Sequence, residues 1–354
     1  MKSTLVRRVV PLAVAAVLVS PVPAFADAPP GEWRHVPVTG LVGPALYGVT
    51  APSHGNAWAV GSQASGGEPL VLRWNDGAWT PQAVPEGTAP ELVDVDARHF
   101  ADAWAVGQGG GDATTKSLHW NGRAWTAVPH PSDTPMAVSI DRWGSAWSTG
   151  SGADGSKVFR YRAGGWADQG LTVPSGTLLD AIAARTPRDV WVGGTPSSGG
   201  ETALWHYDGE SWNHMTLPSE WPHWILQIVP VGPDDVWFYT LPMDPLFSGP
   251  QLVHWDGSTF TATKTPSPYE RVGTFADDAG FLGDIASDGR GGIWLQDSQS
   301  PYYRHYDGAT WTSVPRPPAP GYPYMYDLEQ IGNSSSLWGV GLGAGDLLNI
   351  DRFR

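Results

Sequence analysis

Four histidines of the sequence stand at one recurring position, directly before an aromatic residue. They are His119, His206, His254 and His305, and Arg73 and Arg160 fill the same position in two further copies. Histidine binds metals and transfers protons near neutral pH, so four of them first suggest a metal or catalytic centre. Metal ligands must meet within bonding distance, however, and equivalent side chains of repeats arranged around a ring point away from one another. The pattern therefore favours a structural role.

A second set of candidates consists of aspartates in strand-like stretches, Asp94, Asp180, Asp284 and Asp327. Clustered carboxylates could hold Ca²⁺, which prefers several oxygen ligands. The favoured alternative is that they accept hydrogen bonds from backbone amides of a neighbouring repeat. Asp102, Asp189 and Asp235 are interpreted as turn formers. We therefore predict no metal and no cofactor. We also predict no catalytic residue from motifs, because GxSxG, HExxH, EF-hand and phosphate-loop patterns are absent.

Repetition explains the histidine pattern. Motifs such as NAWAVG and DVWVGG recur around Trp58, Trp104, Trp147, Trp191, Trp237, Trp294 and Trp338, at intervals of 43 to 46 residues with one of 57. A second motif, typified by HYDGATW at residues 305–311, recurs in step with the first. Periods near 45 residues with strand-like content are typical of four-stranded propeller blades.

Each repeat is predicted to contain four strands, a to d. In the first copy these begin at Leu46, Ala57, Leu70 and Ala78. Asn-Gly or Asp-Gly pairs between c and d supply a tight hairpin. Strand b is apolar on both faces, so we expect it to lie buried between two neighbouring sheets.

The two ends of the repeat array predict a closed ring. The seventh copy ends at LLNIDRFR without a strand d, whereas residues 31–38, GEWRHVPV, match the d pattern and precede the first strand a. The N-terminal strand should therefore complete the last blade, which removes exposed sheet edges. We predict an all-β, seven-bladed β-propeller that forms a single domain over residues 27–354.

The combined pattern D-V/A-W-x-V-G and H-W-D-G-x-x-W resembles the tryptophan-rich propeller repeats of secreted bacterial proteins, over essentially the whole mature chain. Such propellers include lectins, polysaccharide lyases, glycosidases and protein-assembly scaffolds, so the resemblance implies the fold and leaves the function open. The c-to-d turn also resembles the Asp-box of sialidases. Here Asp307 stands directly beside Gly308, which departs from the Asp-box spacing and leaves a sialidase function unsupported.

Composition and the N-terminus predict a secreted protein. Residues 1–26 combine Lys2, Arg7 and Arg8 with a short apolar run and the small-residue sequence AFA, which is typical of a cleaved signal peptide. No later segment is long and apolar enough to predict a membrane span. The net charge of −14 argues against a nucleic-acid partner, and the absence of cysteine means that a large core must stabilise the fold.

Binding is expected where the loops depart from the repeat. The d-to-a and b-to-c connections share one face of a propeller, which we call the loop face. Over blades 1 to 3 these loops are small and polar, whereas over blades 4 to 7 they are rich in aromatic and acidic residues. The predicted ligand-binding residues are Trp221, His223, Trp224, Tyr269, Glu270, Tyr302, Tyr303, Tyr322 and Tyr324.

Three functions fit this asymmetric loop face. The leading hypothesis is a secreted binding protein that recognises a glycan or an exported protein partner, with aromatic rings against sugar C–H faces in the glycan case. The second is a polysaccharide lyase or glycoside hydrolase, in which His223 or Tyr303 takes a proton and Glu270 or Asp278 is its partner. The third is a scaffold subunit of an exported protein assembly. The alternative use of the aromatics is to plug the channel mouth and pack the loops.

Overall fold

A computed structural model describes residues 31–354, apart from residues 65–66, 76, 111–114, 244–248, 267–282, 298–299, 319–323 and 344–346. The described part contains 28 strands and no helix. They form seven four-stranded antiparallel sheets, which confirms the predicted seven-bladed β-propeller.

The blades follow one another along the chain, and each runs from an inner strand a to an outer strand d. The N-terminal strand is β1 (Trp33–His35). Blades 1 to 3 comprise β2 (Ala45–Ser53), β3 (Asn56–Gln63), β4 (Glu68–Asn75) and β5 (Ala78–Pro81); β6 (Glu91–His99), β7 (Asp102–Gln108), β8 (Ser117–Trp120) and β9 (Trp125–Val128); and β10 (Thr134–Ile140), β11 (Ala146–Gly152), β12 (Gly155–Arg162) and β13 (Gly165–Asp168). Blades 4 and 5 comprise β14 (Leu178–Thr186), β15 (Asp189–Thr195), β16 (Ala203–Tyr207) and β17 (Trp212–His214); and β18 (His223–Gly232), β19 (Asp235–Pro242), β20 (Gln251–Trp255) and β21 (Phe260–Lys264). Blade 6 comprises β22 (Gly283–Ser287), β23 (Ile293–Asp297), β24 (Tyr302–Tyr306) and β25 (Trp311–Pro315), and blade 7 comprises β26 (Tyr324–Gln330), β27 (Leu337–Leu342) and β28 (Leu348–Phe353) together with β1.

The N-terminal strand closes the ring, as predicted. β1 pairs antiparallel with β28, with Trp33 opposite Phe353, and so becomes strand d of blade 7. The buried Trp33 ring stacks on Tyr303 of blade 6 at 3.6 Å between centroids and meets Trp294 edge-on at 5.6 Å. The closing strand is therefore fixed both by backbone pairing and by packing against the preceding blade.

The hydrophobic core lies between the blades, on both sides of each strand b. In β3, Trp58 and Val60 pack into a cluster with Leu92 of blade 2, whereas Ala57 and Ala59 pack into a cluster with Trp338 of blade 7. All four of these β3 residues are fully buried, which confirms the prediction for this strand. A large residue of one blade thus meets small residues of the next, as close packing requires.

The turns between strands c and d depend on glycine. Gly308 has a φ of 94°, a conformation that disfavours other residues. Asp307 before it accepts hydrogen bonds from the backbone N–H groups of Ala309 and Thr310, at 2.8 and 2.6 Å. The Asp-Gly pair of HYDGATW therefore forms the hairpin turn between strands c and d. These turns lie on the face opposite the loop face, which we call the turn face.

None of the described residues forms a helix that is long and apolar enough to cross a membrane.

Removal of the Trp33 side chain, which packs where β1 closes the propeller, should destabilise the fold. Trp33→Ala deletes a buried side chain at the seam and is expected to lower the free energy of unfolding by about 3–5 kcal/mol, measured by urea denaturation. The control Trp143→Ala removes the same side chain where it is 60% exposed and should change stability by less than about 1 kcal/mol. Equal losses in the two variants would contradict the proposed role of β1.

Candidate functional site

A central channel with a volume of about 720 Å³ is lined by the innermost strands of all seven blades. Its wall carries the carboxyl groups of Asp94, Asp96, Asp327 and Glu329. Arg98, Arg142 and Arg185 line it at the ends of these strands on the turn face. The channel is therefore polar, and its acidic residues come from blades 2 and 7.

The channel aspartates hold neighbouring blades together. Asp94 accepts a hydrogen bond from the N–H of Val95 in its own strand and one from Val138 in the next blade, each at 2.7 Å. The same bridge recurs from Asp284 to Leu328, at 2.8 Å, and from Asp327 to Val49, at 2.5 Å. This matches the favoured interpretation of these residues, in which they accept hydrogen bonds from backbone amides of a neighbouring repeat.

Asp180 differs from the other three aspartates. It accepts hydrogen bonds from the backbone N–H and the hydroxyl of Thr195, at 3.0 and 2.7 Å, and from the Trp224 indole of blade 5, at 3.1 Å. Within the described residues, no three or more His, Cys, Asp or Glu side chains are grouped so that they could hold a metal ion.

A second layer of bridges lies two residues further along the strands. Ala97 donates its N–H to the Thr50 hydroxyl at 3.1 Å, and Ile140 donates to Asp96 at 2.7 Å. Ala184 donates to the Ser139 hydroxyl at 3.0 Å. Short polar side chains thus join blades 1 to 4 in series.

Burial, with neighbouring carboxyls as a further cause, raises the pKa values of the channel carboxyls. Burial raises the pKa of Asp94 from 3.8 to about 8. Burial, together with the charges of Asp96, Asp327 and Asp94, raises the pKa of Glu329 well above its usual value. Asp284 and Asp327 hydrogen-bond to each other, and burial is again the main cause of their raised pKa values.

The repeated histidines form pairs within their own blades and do not converge. The His119 Nε2 atom is hydrogen-bonded to Oδ1 of Asp102 at 2.9 Å. The His119 ring also stacks on Trp104, with 4.4 Å between the ring centroids. The equivalent pairs are His206 with Asp189, His254 with Asp235 and His305 with Asp288, each at 2.8 Å. Their geometry agrees with the structural role that the repeat pattern favours.

On the loop face, exposed apolar side chains gather over blades 4 and 5. Leu178 is 44% exposed at the start of β14, Trp221 is 46% exposed before β18 and Met243 is 48% exposed after β19. Met243 donates its N–H to the Pro222 carbonyl at 2.9 Å, which fixes it beside the Trp221 segment. We call Leu178, Trp221, Met243 and the half-buried Trp224 the blade 4–5 patch.

Two of the predicted site residues are buried. The His223 side chain lies inside blade 5, where its Nδ1 hydrogen-bonds to the Thr240 hydroxyl at 2.9 Å. Tyr303 lies between blades 6 and 7 and donates its hydroxyl to Asp351 at 2.9 Å. Burial raises the pKa of Tyr303 well above its usual value, so this hydroxyl is poorly suited to act as a base. Neither residue is presented on the loop face.

The other predicted site residues are spread over the loop face. Tyr302 is exposed on blade 6. Tyr324 on blade 7 is half-buried and is stacked on Tyr326, 6.5 Å between ring centroids, which in turn lies 5.6 Å from Tyr47 of blade 1. Tyr269, Glu270 and Tyr322 lie outside the described residues, as does Asp278. Trp221 and Trp224 therefore lie on one segment, just before and within β18, and Tyr302 and Tyr324 lie on other blades.

The sequence reasoning missed two members of the blade 4–5 patch and the histidine partners. Leu178 precedes Leu179 at a strand end, and adjacent leucines there could have indicated that one of them faces outward. Met243 directly follows β19, in a b-to-c loop whose sequence departs from the repeat and so carries no pattern that marks an exposed position. The recurring Asp before strand b was interpreted as a turn former, although its spacing of 17 or 19 residues from the strand-c histidine was a signal for a pair.

Comparison with known proteins identifies the fold class. No protein-family model and no curated protein matches the chain. Among solved structures, the chain is similar to a catalytically inactive variant of virginiamycin B lyase from Staphylococcus aureus with quinupristin, at 13% identity and a TM-score of 0.66. That match covers 91% of this chain and 99% of the lyase.

Two other propellers are similar over comparable lengths. YCF48 bound to D1 peptide matches at 16% identity and a TM-score of 0.59, covering 91% of this chain and 96% of YCF48. The WD40 propeller domain of Doa1 matches at 13% identity and a TM-score of 0.57, covering 92% of this chain and 97% of that domain. At these identities the similarity defines the seven-bladed propeller class and carries no function.

The raised carboxyl pKa values predict how stability varies with pH. A carboxyl whose pKa is higher in the folded than in the unfolded chain stabilises the fold below its unfolded pKa, and this stabilisation is lost as pH rises to the folded pKa. Since the pKa of Asp94 is raised from 3.8 to about 8, the free energy of unfolding should fall by on the order of a few kcal/mol between about pH 5 and about pH 9. Urea denaturation at several pH values measures this fall.

A substitution in the channel tests whether the channel carboxyls cause this pH dependence of the free energy of unfolding. Glu329→Gln replaces one titrating channel group with a neutral one and should make the fall smaller. The control Glu210→Gln, on the exposed c-to-d turn of blade 4, should keep the wild-type pH dependence. An unfolding free energy that rises over this range, or identical slopes in the two variants, would contradict the assignment.

Proposed function

We propose that this chain is a binding protein whose loop face recognises a segment of a polypeptide partner through the blade 4–5 patch. The segment carries apolar side chains that cover Leu178, Trp221 and Met243, together with basic residues that meet nearby carboxylates. The proposal concerns recognition and assigns no reaction to the protein.

The uneven distribution of exposed apolar side chains is the observation that carries this proposal. Among the described residues, six large hydrophobic side chains exposed on the surface belong to the loop face and three to the turn face. The six are Val42, Leu178, Trp221, Met243, Tyr302 and Leu347. Contiguous exposed apolar surface is uncommon on monomers unless it serves an interaction.

The composition of the patch favours protein over sugar. Methionine and aromatic residues are enriched at protein interfaces, and a flexible methionine adapts to different apolar partners. Sugar recognition uses aromatic planes with convergent polar groups, and the indole N–H of Trp224 is already committed to Asp180 at 3.1 Å. A glycan ligand stays the second candidate because Trp221, Tyr302 and Tyr324 offer rings on the same face.

Acidic residues beside the patch favour a basic partner. Glu201 and Glu220 are exposed in the loop that follows β15 and the loop that precedes β18. Thr202, next to Glu201, accepts a hydrogen bond from the His223 N–H at 2.8 Å, which joins these two loops. Complementary charge speeds encounter and selects among partners, and a chain of net charge −14 favours a cationic segment in general.

Similarity to known propellers supports recognition as the general role. The YCF48 structure contains a bound D1 peptide, so a propeller of this class can hold a peptide. The lyase similarity keeps the enzyme alternative open, but the two bases that the sequence suggested, His223 and Tyr303, are buried. The scaffold alternative is a special case of the proposed recognition.

We further propose that the protein is exported. Residues 1–26 have the charged, apolar and small-residue regions of a signal peptide, and the chain has no cysteine. A secreted binding protein of bacterial type therefore agrees with the sequence, and its partner is expected among exported proteins.

The test uses the mature protein on an array of immobilised peptides and an array of glycans in parallel. Peptides that combine aromatic or aliphatic residues with lysine or arginine should retain the protein. Trp221→Ala should weaken that binding about tenfold or more, as for a central interface residue. Saturation binding of the same peptides in solution measures the loss.

The control is Trp143→Ala, which removes an exposed tryptophan from the turn face and should leave peptide affinity unchanged. Retention by glycans alone, lost in Trp221→Ala, would replace the polypeptide with a sugar. New chain ends on the glycans would establish an enzyme. Equal effects of the two substitutions would overturn the assignment of the loop face.

A further inference from the structure

A basic side chain, a strand-b tryptophan and a carboxylate form a unit that recurs around the ring. In blades 2 to 6 a strand-c histidine or arginine lies against the tryptophan and points to an aspartate of the same blade. The pairs are His119 with Asp102, Arg160 with Asp141, His206 with Asp189, His254 with Asp235 and His305 with Asp288. Each of these basic residues has a carboxylate partner within its own blade.

Among the described residues, blade 7 has the arginine and the tryptophan of this unit without a carboxylate paired to the arginine. Arg352 of β28 lies opposite Trp338 in register, and its guanidinium is 4.7 Å from the Trp338 ring and 5.2 Å from the Trp74 ring of blade 1. Ser336 stands two residues before Trp338, where blades 2, 4 and 5 have their aspartate. Blade 7 therefore keeps the basic residue and the tryptophan of this unit and has a serine where the aspartate would stand.

The Arg352 guanidinium is buried without a carboxylate among the described residues. The residue is 4% exposed, and its Nε has no hydrogen-bond partner in the described part of the chain. Its Nη2 is bonded to the carbonyl and Nδ1 of His54, each at 3.3 Å. Burying a charge without an opposite charge is costly, so this arrangement favours an anion supplied from outside.

The surroundings are cationic. Arg354 follows two residues later, and Arg34 lies opposite Arg352 in the register of β1, where it pairs with the exposed Glu32. Burial, and secondarily Arg354, lowers the pKa of Arg352 to about 10, which still leaves it charged at neutral pH. Burial, Arg352 and Arg354 lower the pKa of His54, so its imidazole is neutral there and can accept from Arg352.

The neighbouring acid is directed elsewhere. Asp351 alternates with Arg352 along β28 and so faces the other side of the sheet. There it accepts a hydrogen bond from Tyr303 at 2.9 Å and lies 3.5 Å from Arg316 and 3.3 Å from His35.

A cavity of about 510 Å³ opens beside Arg352 on the turn face, between blades 7 and 1. His54, Trp74, Ser336, Arg352 and Arg354 line it, and two glycines leave its mouth without side chains. The Trp74 indole donates to the His54 carbonyl at 3.1 Å, which fixes the ring as an apolar wall. The cavity is larger than one carboxylate requires, so there is room for the body that carries the anion.

We propose that this cavity binds an oxyanion group, a carboxylate, sulfate or phosphate, of a ligand whose apolar part lies against Trp74. The anion lies beside the Arg352 guanidinium, near the position that aspartate occupies in blades 2, 4 and 5. Arginine suits this role because its planar fork matches the geometry of oxyanions. The site is on the face opposite the blade 4–5 patch and is independent of it.

Blade 1 provides a matched control. In the described part of the chain Arg73 also has no carboxylate partner, but Asn56, at the position equivalent to Ser336, accepts from its Nη2 at 3.2 Å. Ser336→Asp would supply the missing anion to Arg352 from within the chain. Asn56→Asp adds the same charge one blade away, next to Arg73, and leaves the cavity beside Arg352 unchanged.

The test follows the indole N–H resonances of Trp74 and Trp338 in a nitrogen–proton NMR titration with sodium acetate, sulfate and phosphate at constant ionic strength. The wild type should show a saturable shift of these resonances with at least one anion. Ser336→Asp and Arg352→Gln should lose it, and Asn56→Asp should retain it. Selective response to acetate identifies a carboxylate ligand, and response to sulfate or phosphate identifies a tetrahedral oxyanion.

Two results would overturn the proposal. One is the absence of a saturable shift in the wild type with all three anions. The other is an equal response in Ser336→Asp and Asn56→Asp, which would show nonspecific association. Because Arg352→Gln alters a buried residue and can unfold, Ser336→Asp carries the comparison, and a dispersed indole spectrum confirms that each variant is folded.

Discussion

The packing of strand-b tryptophans between blades is the contact on which the rest of the structure depends. A single four-stranded sheet cannot cover both of its apolar faces, so every blade needs a neighbour on each side. Tryptophan on one face of strand b and alanine or another small residue on the other make neighbouring blades complementary. Seven such contacts leave no terminal blade, provided that β1 completes the last sheet.

This closure fixes where polar chemistry can occur. The inner strands place short polar side chains at the channel, and the backbone amides of the next blade use them as hydrogen-bond acceptors. The strand-c cations are likewise committed to aspartates within blades 2 to 6. What the ring leaves available is the loop face, with its blade 4–5 patch, and the cavity beside Arg352 of blade 7, whose guanidinium has no carboxylate partner among the described residues.

The fold could be predicted from the sequence because its determinants are local and repeated. Tryptophan spacing, Asp-Gly turns and the unmatched strand at the N-terminus each report on one blade, and seven copies reinforce the same prediction. The site residues were harder to predict, because residue type does not specify which side of a sheet a side chain occupies. His223 and Tyr303 lie in loop-like sequence but turn inward, whereas Leu178 looks like core and is 44% exposed. The absence of an aspartate before Trp338 becomes informative only when the other blades show what that aspartate does.

Recognition by the loop face is tested most directly by hydrogen–deuterium exchange with a peptide selected on the array. Bound peptide is predicted to slow amide exchange in residues 219–226 and at Met243, with no change in the turns that contain Phe100 and Trp143. Protection in those turns, or unchanged exchange around Trp221 at saturating peptide, would contradict the central claim.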